Sequence, residues 1–461
     1  MIPMTLDEIA AATGGRLVNA PAPVTVTGPV EYDSRRIVPG GLFAAFEGEK
    51  ADGHDYAATA MKAGAAAVLS TRDTGEPGVV VEDLLKALAE LAHVVVERLG
   101  ELTVVGLTGS SGKTTTKDYL GQLLSRLGPA IAPAGSLNNE LGFPYTVLQA
   151  TAETRFLVLE MGARGVGHIR YLTEIARPDV GVVLNVGRSH IATFVSLEGT
   201  ALAKGELVEA LSADGVAVLN ADDPRVAGMA PRTRARVLLV GESESADIRA
   251  EQVTLDDQGR ASYVLTAAGR RGHVRLRVAG RHQVGNTLSA AAVALSLGME
   301  FDDVVSALGE VGITSVRRMD VFTRPDGVTV IDDSYNANPS SMAAALRALA
   351  SMASGRRTTA VLGYMAELGE FERSSHEEMG RLAAELGVDR LVVVAENARP
   401  VLDGATGFQG WAGQAFFAAD QAAAIEIVRS DLRADDVVLV KGSRYRTWDV
   451  VDALRPEEDS R

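Results

Sequence analysis

Leu102-Thr103-Val104-Val105-Gly106-Leu107-Thr108-Gly109-Ser110-Ser111-Gly112-Lys113-Thr114-Thr115-Thr116 reads as an apolar strand, a glycine- and serine-rich turn and the start of a helix. In that order the turn aims several backbone N–H groups and one lysine at a single point. The positive end of a helix dipole lies behind them, which makes a cradle for a phosphate chain. The common pattern G-x-x-x-x-G-K-[ST] requires glycine at position 107, where this chain has Leu107; its first loop glycine is Gly109. The loop is therefore Thr108-Gly109-Ser110-Ser111-Gly112-Lys113-Thr114-Thr115, a narrower signal than a generic nucleotide loop. A strand feeding such a loop and helix belongs to an α/β fold, with ligands beyond the carboxyl ends of parallel strands.

Outward from the loop, Leu120, Leu123, Leu124 and Leu127 form one apolar helix stripe. Strands are expected at Phe156–Leu159, Val180–Val186, Val216–Leu219 and Val237–Val240, with an antiparallel appendage over about 247–281 around Gly259, Gly269 and Gly272. Upstream, Asp83 to Leu99 has a helix period, and residues 1–82 form a small mixed region with one helical stretch near Tyr56 to Gly64. From residue 313 a second α/β sheet is expected, with strands Val328–Ile331, Thr359–Leu362, Leu391–Val394 and Val437–Val440. At 461 residues the chain is too long for one core. The fold expectation is α/β in three domains: a small mixed α/β domain over 1–82, a central P-loop-type parallel-sheet ATPase domain over 83–312, and a C-terminal Rossmann-like α/β domain over 313–461.

The formal net charge of −15, with no long basic stripe, argues against a nucleic-acid partner. It also means that an anionic substrate must be held by local donors. The absence of cysteine excludes disulfides, thiolate nucleophiles and cysteine-based zinc sites. Met1 to Gly15 has no basic region followed by an apolar run, and no apolar stretch approaches about 18 residues, so neither secretion nor membrane insertion is expected. The cytoplasm is the expected location.

Placement picks out the residues that could carry chemistry. Glu160 ends a strand of the loop's own sheet, where a carboxylate ligand for Mg²⁺ belongs; a helix cap or a lone surface acid is the alternative. Thr114 has the hydroxyl position that normally serves the nucleotide's magnesium. His190 follows another strand end, and its spacing alone leaves a metal role open, because Mg²⁺ prefers oxygen. His54, His93, His273 and His376 read as structural or solvated, and Lys204 as an ordinary helix lysine. Asp332-Asp333-Ser334-Tyr335-Asn336-Ala337-Asn338-Pro339 packs acids and amides onto a strand-to-helix turn, which suits recognition of hydroxyls or a peptide backbone and also suits an Asx turn and helix cap. Asn138 and Asn139 carry the same ambiguity.

Taken together, these motifs resemble the Mur ligases, the ATP-dependent family that extends the peptide of the peptidoglycan precursor. The family loop T-G-[ST]-[SN]-G-K-[ST]-[ST] is met by Thr108 to Thr115. Asp33-Ser34-Arg35, Phe46-Glu47-Gly48, Leu137 to Gly142, Glu160 to Ala163, Ala203 to Glu206, Asp332 to Pro339 and Lys441-Gly442-Ser443-Arg444 extend the likeness over essentially the whole chain. Within the family, the Asp332–Pro339 string resembles the member that joins D-alanyl-D-alanine to UDP-N-acetylmuramoyl-tripeptide. The Asp-Asn-Pro-Arg motif of the lysine- or diaminopimelate-adding relative does not occur.

The resemblance implies an ATP-dependent amide ligase working through an acyl phosphate. Thr108, Gly109, Ser110, Ser111, Gly112, Lys113, Thr114 and Thr115 would hold ATP, with Asn286, Arg318 and Asp333 as further nucleotide contacts. Thr114, Glu160 and His190 would serve one or two Mg²⁺ ions. Lys204 would match the family's carbamylated lysine, which supports the second ion. Lys113, Glu160, His190 and Lys204 would thus be the catalytic set. Ser34 and Arg35 would lie near the UDP moiety, with Asn138, Asn139, Asn336, Asn338, Lys441 and Ser443 around the peptide and dipeptide. A monomer is expected. Two positions depart from the family: Gln283 stands for asparagine in Gly280-Arg281-His282-Gln283-Val284-Gly285-Asn286, and Gly165 stands where some relatives have histidine. Folylpolyglutamate and cyanophycin synthetases share the loop but are expected to lack the Asp-Ser-Arg and Lys-Gly-Ser-Arg segments. A non-catalytic nucleotide-binding module would be expected to lose Glu160 or Lys113.

Overall fold

The computed structural model describes residues 1–20, 22–48, 51–188, 196–443 and 446–456. The strand Thr103–Thr108 lies inside a nine-stranded sheet, between Phe156–Glu160 on one side and Val180–Val183 on the other, all three parallel. Strand order reverses around it, so its carboxyl end opens at a topological switch point. The register sets Glu160 beside Leu107 and Val183 beside Thr108, bringing a carboxylate to the start of the phosphate loop. The strand at 180 stops at Val183 rather than Val186. Beyond it the Asn185 side chain turns to the loop, its Oδ1 accepting the N–H groups of Ser110 and Ser111 at 3.0 Å each.

The three strands Ile248–Leu255, Arg260–Ala267 and Arg270–Ala279 form the expected antiparallel appendage. They continue the central sheet, because Ile248 pairs in parallel with Val240. The helix Leu84–Arg98 buries Leu84, Leu88, Leu91 and Val95 together with Ala87 and Ala92. It is covered by the helix Leu6–Thr13 from one side and by the helix Gly142–Val147 from the other, so it joins the first unit to the second. The helix Leu6–Thr13 was not expected from the apolar pattern. Its signal is a capping box in which Glu8 N–H donates to the Thr5 hydroxyl and Thr5 N–H donates to the Glu8 carboxylate.

The first unit otherwise contains a five-stranded sheet, parallel except for the edge strand Arg16–Val18. The third contains six strands: the four expected ones, three of them one residue longer and the first shifted by one residue to Thr329–Asp332, with Asp320–Thr323 and Gln414–Ala418 added at the two edges. Its helices Glu372–Glu385 and Pro400–Thr406 meet backbone to backbone. A Cβ on Gly380 would lie 1.8 Å from the Val401 carbonyl oxygen, and one on Gly404 would lie 1.9 Å from that of Glu377. A carbonyl in a helix ladder cannot swing aside. Gly380→Ala is therefore expected to cost about 3 kcal/mol, the upper part of the overpacking range, seen as a lower urea midpoint with unchanged nucleotide affinity. No helix among the described residues is long and apolar enough to cross a membrane.

Candidate functional site

The phosphate loop opens into a cavity of about 410 Å³ whose walls come from the second and third units. Gly112 takes φ 83° at the turn into the helix Lys113–Leu124; a Cβ there would meet Asn286 Oδ1 at 2.5 Å, so only glycine fits. Gly109 to Thr115 line the cavity, and Lys113 Nζ donates to the Gly109 carbonyl at 2.8 Å. Burial lowers the Lys113 pKa, Glu160 opposes that shift and Arg318 adds to it. Thr108 lies behind the wall, its hydroxyl donating to the Met161 carbonyl at 2.9 Å, which ties the loop's strand to the residue after Glu160.

Glu160 is the best-held group of the site. Its Oε2 accepts the Thr114 hydroxyl at 2.9 Å, and Oε1 accepts the Ser136 hydroxyl and Asn138 Nδ2 at 2.9 and 2.7 Å. Asn139 also borders the cavity and caps the next helix through Gly142 N–H at 2.8 Å. Glu160 and Thr114 offer two hard oxygen donors side by side, which suits Mg²⁺ completed by phosphate oxygens. Among the described residues no three His, Asp or Glu side chains gather in one place. His190 lies outside the described residues.

Lys204 lies on the helix Leu197–Glu209, is 3% exposed and borders the same cavity. Among the described residues its Nζ makes no hydrogen bond or ion pair. Burial, with the nearby Lys113 charge, holds its pKa well below the usual lysine range. The reading of Lys204 as a surface lysine is therefore wrong; the small neighbours Ala203 and Gly205 let this face of the helix sink into the fold. Two residues on, the buried Glu206 accepts Gly167 N–H at 2.5 Å and Arg170 N–H at 3.1 Å, capping the helix His168–Ile175.

The third unit closes the other wall. Arg318 reaches Thr114 Oγ1 at 3.4 Å and stacks over Tyr335 at 4.3 Å. Asn338 caps the helix Pro339–Ala353 with its carbonyl oxygen and donates its amide to the Ser110 carbonyl at 3.1 Å, so one side chain both starts a helix and touches the phosphate loop. Asn336 borders the cavity.

Asp333, Lys441 and Ser443 do not border the cavity. Lys441, 1% exposed, pairs with Asp333 and donates to the Asn336 carbonyl at 3.0 Å. Burial lowers the Lys441 pKa against the pull of Asp333. The Ser443 hydroxyl donates to the Ala337 carbonyl at 3.1 Å. From two adjacent strand ends these side chains turn inward and brace the 332–339 turn from behind.

Ser34 and Arg35 also lie away from the cavity, whose lining includes no first-unit residue. Arg35 is 87% exposed on its side chain and pairs with Asp33 at 2.7 Å, which holds the Asp33 carboxyl down at about 2. Their segment meets the second unit through Tyr145, whose hydroxyl donates to Glu31 at 2.8 Å, raising its pKa to about 12 by burial and that bond.

Asn286 faces a second cavity of about 440 Å³, which Asn185 also lines. Gln283 is buried, and its Oε1 accepts both the Tyr119 hydroxyl at 3.1 Å and Asn286 Nδ2 at 2.9 Å. It therefore orients Asn286 and borders neither cavity. Ser136, Arg164, His168, Tyr335, Glu367 and Trp448 border the first cavity without having been singled out as site residues. Ser136, two residues before Asn138, carried a usable signal; His168 and Trp448 reach the cavity only through tertiary packing.

Residues 107–294 match the Mur ligase middle domain, residues 317–444 the Mur ligase glutamate ligase domain, and residues 28–95 the Mur ligase family catalytic domain. A Mycobacterium bovis protein named UDP-N-acetylmuramoyl-tripeptide--D-alanyl-D-alanine ligase is 47% identical, over 96% of each chain. The chain belongs to the Mur ligase family. Among solved Mur ligases, MurF from Acinetobacter baumannii superposes with a TM-score of 0.86 at 32% identity, over 98% of each chain. MurF from Thermotoga maritima, solved in complex with ADP, superposes with a TM-score of 0.79 at 30% identity, over 93% of this chain and 97% of that one.

Proposed function

We infer that the chain is an ATP-dependent amide ligase that adds D-alanyl-D-alanine to UDP-N-acetylmuramoyl-tripeptide during peptidoglycan precursor synthesis. The observation that carries this reading is the Thr114–Glu160 pair at the mouth of the phosphate loop, faced across one cavity by Arg318, Asn336 and Asn338 of the third unit. The triphosphate lies along Gly109 to Thr115 with Lys113 at its β/γ oxygens, and the nucleoside extends past Asn286 into the second cavity. Thr114 and Glu160, joined by His190 as the family resemblance implies, would hold Mg²⁺, which would neutralise charge on the phosphates. Lys204 is a buried amine whose lowered pKa favours the uncharged form. Addition of CO₂ to the uncharged amine with loss of one proton would give a carbamate, an additional anion that would serve a second ion.

The tripeptide carboxylate oxygen attacks the γ-phosphorus and ADP leaves. The dipeptide amine then attacks the acyl carbon, phosphate leaves and the amine loses its proton. Lys113 and Arg318 stabilise the charge that builds on the transferring group. Enclosure between the second and third units keeps water from the acyl phosphate. Asn336 and Asn338 meet the peptide groups, Asn138 and Asn139 line the acceptor side, and Ser34 with Arg35 hold the UDP end. Asp333, Lys441 and Ser443 keep the 332–339 turn in place. The described lining of the cavity comes from a single chain, which favours a monomer, and the supply of ATP and UDP-linked acceptor sets the reaction in the cytoplasm.

The test is ADP release from the purified chain with ATP, Mg²⁺, UDP-N-acetylmuramoyl-tripeptide and D-alanyl-D-alanine. Release is expected only when both acceptor and dipeptide are present, and release that ignores either one contradicts the ligase reading. Parallel assays with lysine- and diaminopimelate-containing tripeptides identify the acceptor.

A further inference from the structure

Lys117 and Asp118, on the helix that starts at the phosphate loop, form a buried ion pair 2.9 Å long that the proposed reaction does not use. Burying two charges is tolerable only when their remaining protons and lone pairs are satisfied. Here the satisfying partners come from two distant segments. Lys117 Nζ also donates to the Pro133 carbonyl. Asp118 Oδ2 accepts the backbone N–H groups of Ser315 and Thr314 at 2.8 and 3.1 Å, and Oδ1 accepts the Ser315 hydroxyl at 3.0 Å. Ser315 Oγ in turn accepts Gly135 N–H at 3.2 Å, linking the two segments to each other. One turn along the helix, Gln122 brackets Gly312, donating to its carbonyl at 2.7 Å and accepting its N–H at 3.1 Å.

Each tethered segment runs into the cavity. The one after Pro133 carries Ser136 and Asn138, which grip Glu160. The one through Ser315 is the passage from the second unit to the third, and it carries Arg318 to Thr114. Arg317 and Met319, on either side of Arg318, have φ of 59° and 48°. Non-glycine residues keep such angles only where the surroundings impose them. The clamp on Gly312 to Ser315 is the fixed end that makes this possible.

We propose that the Lys117–Asp118 pair is a positioning element for the nucleotide site that acts through Arg318. It pins the start of the inter-unit passage to the phosphate-loop helix, so that the arginine of the third unit is held over Thr114. The proposal rests on the reading that this cavity binds a nucleotide. A buried pair with a merely structural role would weaken the whole fold without regard to Arg318.

A double-mutant cycle on the full chain separates the two, with a fluorescent N-methylanthraniloyl-ADP and Mg²⁺ as the probe. Asp118→Asn keeps the shape but removes the charge and sets an N–H₂ either against the backbone N–H groups of Thr314 and Ser315 or against the Lys117 ammonium and the Ser315 hydroxyl. It is expected to weaken binding about tenfold in the otherwise unchanged chain and less than about twofold when Arg318→Ala is already present. Equal losses in both backgrounds, or no loss in either, overturn the proposal. If Asp118→Asn does not fold, Ser315→Ala removes only the bridging hydroxyl and enters the same cycle with an expected coupling of about threefold. Failure of the unsubstituted chain to bind the probe overturns the nucleotide reading along with it, whereas tight binding with additive losses overturns the role of Asp118 alone.

Discussion

Lys204→Ala is expected to lower the rate of ADP release about a thousandfold, and millimolar formate or acetate to restore part of it. The size follows from removing one preorganised charge from a water-poor site, which costs about 10²–10³ in rate. The substitution leaves a void beside the phosphate loop, where a small carboxylate can stand in for the carbamate. Because burial and Lys113 lower the Lys204 pKa, the free amine persists to lower pH than in an ordinary lysine. Acidification protonates that amine and removes the carbamate, so the unsubstituted chain should lose rate on the acid side. The acetate-rescued variant should not share that particular loss. Full activity of Lys204→Ala in bicarbonate-free buffer, or no response to carboxylates, contradicts the carbamate reading.

Glu160→Gln is the second large effect. The amide keeps the length of the side chain and can still accept the Thr114 hydroxyl, but it removes the negative charge. It also sets an N–H₂ either toward that hydroxyl or toward the donors of Ser136 and Asn138. Turnover is expected to fall about a thousandfold, with Mg²⁺ no longer tightening nucleotide binding. Metal-free binding should change less than about twofold, since the loop N–H groups and Lys113 are intact. A variant whose nucleotide affinity still rises normally with Mg²⁺ would show that another group carries the ion.

Much of the architecture was legible in the chain because its signals are local. The loop fixes a strand before it and a helix after it, and alternating apolar runs and helix periods require parallel strands with crossover helices. Edge strands such as Asp320–Thr323 and Gln414–Ala418 escaped because they are half-exposed and carry weak periodicity. The helix Leu6–Thr13 escaped because eight residues give little period, although its capping box was readable. In the candidate site, backbone-encoded features were visible, and side-chain directions were not. Lys204 looked like a solvated lysine and lies buried in a wall of the cavity, whereas Lys441 looked like a peptide contact and is sealed behind the turn by Asp333.

By itself the sequence determined the phosphate cradle, the carboxylate at the neighbouring strand end and the likeness to one ligase family. Each of these depends on residue order along a few turns of chain. Only the tertiary structure decided which polar residues face the cavity, that Arg318 and Asn338 reach the loop from the third unit, and that Ser34 and Arg35 stand away from it. Those outcomes depend on how separately folded units pack, and a side chain at a strand end points wherever its neighbours leave room.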